Sequence, residues 1–299
     1  SITFAANQKS YFRNHTSHMA LMKSISGIRG TIGGAPGDNL TPVDIVKFTA
    51  AYATILGKGK KVIVGRDGRM SGEMVRSLVV NTLLGMGLHV IDLGLSTTPT
   101  VEMAVKFEGA DGGIILTASH NPKQWNALKL LNEKGEFISA ELGQQMLAIA
   151  EKEAFDFAGV DELGTYSADD SLLQTHIDAI LVHPLVDKKL IAEKNFTIVI
   201  DAINSSGAVA VPALLEALGV TNYTVLHAEM HGNFAHNPEP LAENLVELCT
   251  EVVNQKADLG IAVDPDVDRL CFVSDDGSLF GEEYTCLLYT SPSPRDRTR

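Results

Sequence analysis

Leu259-Gly260-Ile261-Ala262-Val263-Asp264-Pro265-Asp266-Val267-Asp268-Arg269 passes from a continuous apolar run straight into three closely spaced carboxylates. A short apolar run that ends at a turn signal reads as a strand buried on both faces, so the aspartates occupy a loop at its carboxyl end. The same form recurs upstream. Lys61-Val62-Ile63-Val64 runs into Gly65-Arg66-Asp67-Gly68-Arg69-Met70-Ser71-Gly72, Gly113-Ile114-Ile115-Leu116-Thr117 into Ala118-Ser119-His120-Asn121-Pro122, and Thr197-Ile198-Val199-Ile200-Asp201 into a loop over 202–207. Between these lie helical patterns over about 71–86, 99–107, 139–153, 171–182, 208–218 and 241–255, with further strands at 88–92 and 223–226. Thr41-Pro42 supplies an N-cap and a proline at the first helical position of an earlier helix. Alternation of this kind predicts an α/β protein. It lapses across the acidic stretch 154–170, read as a linker, and restarts at 197, which predicts two consecutive three-layer α/β/α domains, 19–165 and 166–274.

Composition bounds the function. The chain has 299 residues, 45% hydrophobic and 20% charged, with a mean hydropathy of +0.08, as in a soluble protein with room for two cores. No run approaches the roughly 18 apolar residues of a membrane span. Cys249, Cys271 and Cys286 show no C-x-x-C spacing, so a reducing cytoplasm is the expected compartment. A net charge of −13 argues against a nucleic-acid partner. It also opposes any anionic substrate, so a site for one must gather its own cations or hold a metal.

Both ends differ from the middle. Residues 1–18 carry Lys9 and Arg13 but no acid, and Met19-Ala20-Leu21-Met22-Lys23 reads as a natural start, so 1–18 are expected to be a non-native leader. After Gly281-Glu282-Glu283-Tyr284 the chain turns basic, and 285–299 are expected to be an artefactual tail.

Three groups of residues carry chemistry. Asp264, Asp266 and Asp268, at i, i+2 and i+4, offer the hard oxygens that Mg²⁺ or Ca²⁺ prefers. An EF-hand is excluded, because its sixth and twelfth positions would be Arg269 and Asp275 instead of Gly and Glu. An acidic turn without a cation would crowd like charges. Ser119 is either a turn serine or, if phosphorylated, a bearer of roughly two negative charges and the missing oxygen ligand for a cation on the aspartate loop. No G-x-S-x-G elbow, P-loop or G-x-G-x-x-G is present. Arg29, in Gly27-Ile28-Arg29-Gly30, and Arg66 and Arg69 place guanidinium groups among glycines, where phosphate oxygens are approachable. Lys129 would serve as a general acid or base if burial lowers its pKa, and is otherwise an exposed lysine. His183, His227, His231 and His236 lack metal spacing and read as ordinary histidines, although the turn 231–238 lies within reach of the site. Trp125 reads as packing.

Taken together and in this order, Ser26-Gly27-Ile28-Arg29-Gly30, the 65–72 loop, 117–122 with Asn126-Ala127-Leu128-Lys129, Asp201-Ala202-Ile203-Asn204-Ser205-Ser206-Gly207 and the 264–269 loop resemble the α-D-phosphohexomutase superfamily. The likeness covers Lys23 to about Tyr284. Within the superfamily the start and end of that span look most like bacterial phosphoglucosamine mutases. The resemblance implies the phosphohexomutase type of fold and a reversible transfer of phosphate between the 1- and 6-hydroxyls of a hexose phosphate. It implies a phosphoserine at Ser119, Mg²⁺ bound by Ser119, Asp264, Asp266 and Asp268, and a hexose 1,6-bisphosphate as activator. By position, His120 and Lys129 are the proton-transfer residues, Arg29 is a cation beside them, and Arg269 braces the phosphoryl group. Arg66 and Arg69 are phosphate-facing or structural. A phosphosugar is the implied partner, with the chain a monomer or homodimer.

Family members look like four-domain proteins with a sugar-reading G-E-x-S-G loop and a later phosphate clamp, and neither is found in this sequence. Residues 275–284 read as the start of a third domain. The expectation is therefore half an active site, poor or inactive as a mutase by itself. Two other classes compete. One is a metal- or phosphosugar-binding module without transfer. The other is a haloacid-dehalogenase-type phosphatase, whose D-x-D lies near the chain start and carries the phosphate itself.

Overall fold

The computed structural model describes residues 20–24 and 27–280, so the expected leader, the expected tail and Tyr284 lie outside the described residues. Apolar alternation builds two sheets. In the first, β1 (Met22–Ser24), β2 (Gly27–Thr31), β3 (Lys61–Arg66), β4 (His89–Leu95), β5 (Gly112–Leu116), β6 (Trp125–Leu131) and β7 (Tyr166–Ala168) lie in the order β1-β2-β6-β5-β3-β4-β7. Strands β5, β3, β4 and β7 run parallel, and β6 enters antiparallel beside β5. Val62 and Val64 face helices α1 (Pro42–Leu56), α2 (Gly72–Gly85) and α4 (Ala140–Lys152), packing among Ile45, Phe48, Val79 and Met146. Ile63, one residue out of phase, faces Val101, Ala104 and Val105 of α3 (Thr98–Phe107). Thr41 caps α1 through a reciprocal box with Asp44, with proline at the first position, as expected.

The second sheet has the order β12-β11-β10-β8-β9, from β8 (Thr197–Asp201), β9 (Asn222–Leu226), β10 (Leu259–Val263), β11 (Leu270–Ser274) and β12 (Leu279–Phe280). Ile198 and Ile200 face Leu215 of α7 (Gly207–Ala217), while Val199 faces Leu248 and Val252 of α8 (Val246–Gln255). Helices α5 (Leu172–Leu181) and α6 (Lys188–Lys194) lead from one sheet to the other. The two-domain α/β/α architecture is the expected one.

The structure adds detail at four places. Within 154–170, read as an acidic, irregular linker, β7 pairs with β4 of the first sheet, past the expected boundary at 165. Of 275–284, read as the start of a third domain, residues 279–280 form β12, which pairs with β11 of the second sheet. Residues 27–30, whose glycines were read as leaving room around Arg29, form part of strand β2. Gly27 is demanded there by contact, since a Cβ would fall 2.0 Å from Leu128 O. The helix expected from 241 starts at Val246. No helix among the described residues is long and apolar enough to cross a membrane.

Candidate active site

Loops from both sheets meet where β3, β5 and β10 end. The loop after β5 is held by Arg69, whose side chain is 0% exposed. A guanidinium has five N–H donors, and all five are engaged. Nε donates to Asp67 Oδ2 at 3.0 Å, Nη1 to Pro122 O at 2.9 Å and Trp125 O at 3.0 Å, and Nη2 to Asn121 O at 2.7 Å and to Ser119 O. Thr117 completes the brace, donating to Asp67 Oδ2 at 2.7 Å and accepting from Ser119 N at 2.9 Å. Of the two roles expected for Arg69, the structural one matches these contacts, which leave no side-chain N–H for a phosphate. Arg66 is turned toward α2, pairing with Glu73 at 3.2 Å and donating to Asp67 O at 3.1 Å, so it too is tied to protein groups.

Ser119 emerges from this brace with φ +49°, a left-handed conformation uncommon outside glycine. Its hydroxyl donates to Asp264 Oδ2 across the domain junction at 2.7 Å, with His120 Nδ1 3.3 Å away. Burial, then the charges of Arg269 and Arg29, hold the His120 imidazole below its ordinary pKa.

The aspartate loop is folded onto itself. Asp264 Oδ1 accepts from the backbone N–H groups of Asp268 and Arg269, each at 3.1 Å, and Val267 at the apex has φ +61°, unusual for a β-branched residue. Asp266 Oδ2 accepts from the Thr98 hydroxyl at 2.6 Å and Lys129 Nζ at 2.7 Å, and Asp268 Oδ2 from Lys129 at 3.0 Å. Burial, with Asp266 and Asp268 alongside, holds the Asp264 carboxyl well above the usual range. Burial opposes ionisation of Asp266 as well, but Lys129 and Thr98 outweigh it and its pKa is lowered.

These three carboxylates present one oxygen each within 4.8 Å of one another. Buried Asp266 Oδ1 has no hydrogen-bond partner. An orphaned anionic oxygen among hard donors, beside a carboxyl that resists ionisation, fits a hard divalent cation such as Mg²⁺.

Lys129 comes from the middle of β6, and with Arg29 of β2 and Ser119 it lines a cleft of about 40 Å³. Arg29 donates to Asn121 Oδ1 at 3.1 Å. Burial would lower the Lys129 pKa, but Asp266 and Asp268 outweigh it and the net shift is upward. Lys129 is therefore a fixed ammonium, contrary to the lowered pKa a general base needs. Arg269 pairs with Glu239 at 3.1 Å.

Sequence reasoning missed the supports. Thr98 follows β4 and reaches Asp266 by both hydroxyl and backbone N–H; a threonine pair opening a helix after a strand was the available signal. Ser205, 0% exposed, donates to Pro265 O at 2.6 Å and accepts from Gly68 N at 2.8 Å. Gly68 must be glycine, because a Cβ would fall 2.8 Å from Ser205 Cα. His227 and His236, read as ordinary, converge on Asp201. Burial would raise the Asp201 carboxyl, but the two imidazoles that face it bring it down to about 2.

The sequence matches the phosphoglucomutase/phosphomannomutase α/β/α domain I over residues 22–157 and domain II of the same family over 174–277. A phosphoglucosamine/phosphogalactosamine mutase of Sulfurisphaera tokodaii is 35% identical over 277 residues, covering 90% of this chain and 58% of the relative. A phosphoglucomutase/phosphomannomutase of Thermococcus kodakarensis is 35% identical over 266 residues, covering 87% of this chain and 58% of its own length. Among solved structures, a phosphoglucomutase/phosphomannomutase family protein of Burkholderia thailandensis superposes with TM-score 0.73 at 25% identity, over 91% of this chain and 58% of that one. The chain thus spans under two thirds of the length of these relatives. Two successive domain matches, in the order in which the two sheets supply the Ser119 and aspartate loops, place the chain in the phosphoglucomutase/phosphomannomutase family.

Proposed function

We propose that this chain carries the phosphoserine and metal half of a hexose-phosphate mutase site, with glucosamine phosphate as the favoured substrate class. The observation that carries the reading is the 2.7 Å hydrogen bond from Ser119 Oγ to Asp264 Oδ2, which aims a nucleophile from one domain at the carboxylates of the other. The relatives named as phosphoglucosamine/phosphogalactosamine mutase and as phosphoglucomutase/phosphomannomutase support a phosphosugar substrate.

Ser119, Asp264, Asp266 and Asp268 would hold Mg²⁺, which neutralises charge building on a transferring phosphoryl group. The chain's own residues do the rest. Ser119 Oγ attacks a phosphorus of a hexose 1,6-bisphosphate, the sugar P–O bond breaks, and an Oγ–P bond forms. His120, kept neutral by its surroundings, accepts the serine proton once the hydroxyl turns from Asp264, and the leaving sugar oxygen takes a proton from water. Lys129 and Arg29 offer cations at the cleft mouth, and Arg269 reaches the phosphoryl group on leaving Glu239. Arg69 and Thr117 fix the nucleophile, since positioning supplies much of such a rate. On this reading each named residue serves the reacting phosphoryl group and none the distal phosphate, so the 299-residue chain assayed alone is expected to take up phosphate on Ser119 but barely to turn over.

The test is intact-mass and phosphopeptide mapping after incubation with Mg²⁺ and glucose 1,6-bisphosphate. One phosphate on Ser119, absent in Ser119→Ala and slowed at least about tenfold in His120→Gln, is expected. An unmodified Ser119 sinks the reading in favour of a binding module, and phosphate on an aspartate would favour the phosphatase scheme. Brisk turnover of glucosamine 6-phosphate would refute the half-site account.

A further inference from the structure

We infer that Asp201, His227 and His236 form a second metal site, suited to a borderline transition ion such as Zn²⁺ and independent of the three-aspartate loop. Asp201 ends β8 and is 2% exposed. His227 follows β9, and His236 lies on the long loop beyond it. Their ligand atoms lie within 4.8 Å of one another, and the two rings stand edge to face, 5.4 Å between centroids.

Counting hydrogens carries the argument. His227 Nδ1 lies 3.0 Å from Asp201 Oδ1, and its Nε2 lies 3.3 Å from Glu247 Oε2. His236 Nε2 lies 2.9 Å from Asp201 Oδ2, and its Nδ1 lies 2.8 Å from Asn237 O. All four ring nitrogens face oxygens that only accept, yet two neutral imidazoles carry one N–H each. At His236 the missing hydrogen can be placed. The Asn237 carbonyl claims Nδ1–H, which leaves the Nε2 lone pair directed at a carboxylate oxygen. A backbone carbonyl that fixes one tautomer and leaves the other nitrogen to an ion is the support that metal-bound histidines have. Two imidazoles and a carboxylate favour Zn²⁺ or Co²⁺ over Mg²⁺, and Glu247 in the first turn of α8 faces His227 Nε2, the ring nitrogen turned away from Asp201.

An ion here would pin the loop that reaches back to the Ser119 brace. Gly232 N donates to Asn204 O at 3.1 Å, Ala235 N to Asn204 Oδ1 at 3.0 Å, and the Phe234 ring lies 5.2 Å from the Arg69 guanidinium carbon.

The rival arrangement is two imidazolium ions with no metal, and Co²⁺ titration of the full chain at about pH 8 separates them. Excess Mg²⁺ is present to occupy the oxygen-only site. Stoichiometric visible d–d absorption, displaced by one equivalent of Zn²⁺, is expected. It should be lost in His227→Gln and His236→Gln, with folding verified by circular dichroism, and kept in Asp268→Asn. Absence of the bands from the full chain, or their survival in both histidine variants, overturns the inference and leaves a charged clasp.

Discussion

Of the five side-chain N–H groups of Arg69, one is directed at neighbouring Asp67 and four at carbonyls of residues 119–125. Replacement by lysine keeps the charge but supplies three donors from a point, not a planar fork, so at least two of the five acceptors lose the N–H that Arg69 gives them. Breaking a buried pair of this kind costs about 3–5 kcal/mol. Arg69→Lys is therefore expected to lower the urea midpoint sharply and to raise hydrogen exchange across 117–125 above that of the sheet. An unchanged midpoint would mean that the brace contributes nothing. Nothing local in Gly65-Arg66-Asp67-Gly68-Arg69 separates this role from phosphate binding, because the acceptors lie about fifty residues downstream. The aspartates were legible for the opposite reason: i, i+2, i+4 carboxylates are a local pattern whose meaning survives without the fold.

At the level of elements, α5 is seated on α3 by Leu172 in the apolar cluster and by His176 Nδ1, 3.1 Å from Thr100 Oγ1. Burial holds His176 below its ordinary pKa. The unfolded chain therefore binds more protons than the folded one as pH falls below about 6.5, and stability declines across that window until the folded-state pKa is passed. His176→Gln should lose less melting temperature than the parent between about pH 7.5 and about pH 5.5. An equal loss in both proteins would remove His176 from the acid response. Strands β3, β8 and β10 were readable because both faces are buried and their sequences are uninterrupted apolar runs. β2 and β6 were not. Glycines in Gly27–Thr31 and the polar Asn126 and Lys129 of β6 erase the alternation, since these strands hold side chains for the cleft as well as for the core. β7 was hidden because Tyr166–Ala168 is exposed throughout and is ordered by pairing with β4.

Across the whole molecule, the junction between the sheets is polar at the candidate site, beside the apolar seat of α5 on α3. Thr98 to Asp266, Lys129 to Asp266 and Asp268, Ser119 to Asp264 and Lys123 to Asn233 all cross it. Ser205 belongs to neither the nucleophile nor the carboxylates, yet it touches the loops that carry both. Its hydroxyl takes the Gly68 N–H from the loop that leads into Arg69 and gives its own hydrogen to the Pro265 carbonyl between the aspartates. Ser205→Ala leaves a buried donor and a buried acceptor unpaired, at about 1–3 kcal/mol each, without touching either domain's core. The expected result is separation of one cooperative unfolding transition into two, the Ser119 and aspartate domains melting apart. On the proposed function Mg²⁺ would bind groups from both domains, so its stabilisation by mass action should shrink in the same variant while the secondary-structure content of each domain stays unchanged. A single transition with undiminished Mg²⁺ stabilisation would show that Ser205 does not couple the two domains, and that the remaining polar contacts suffice to bring Ser119 to the aspartates.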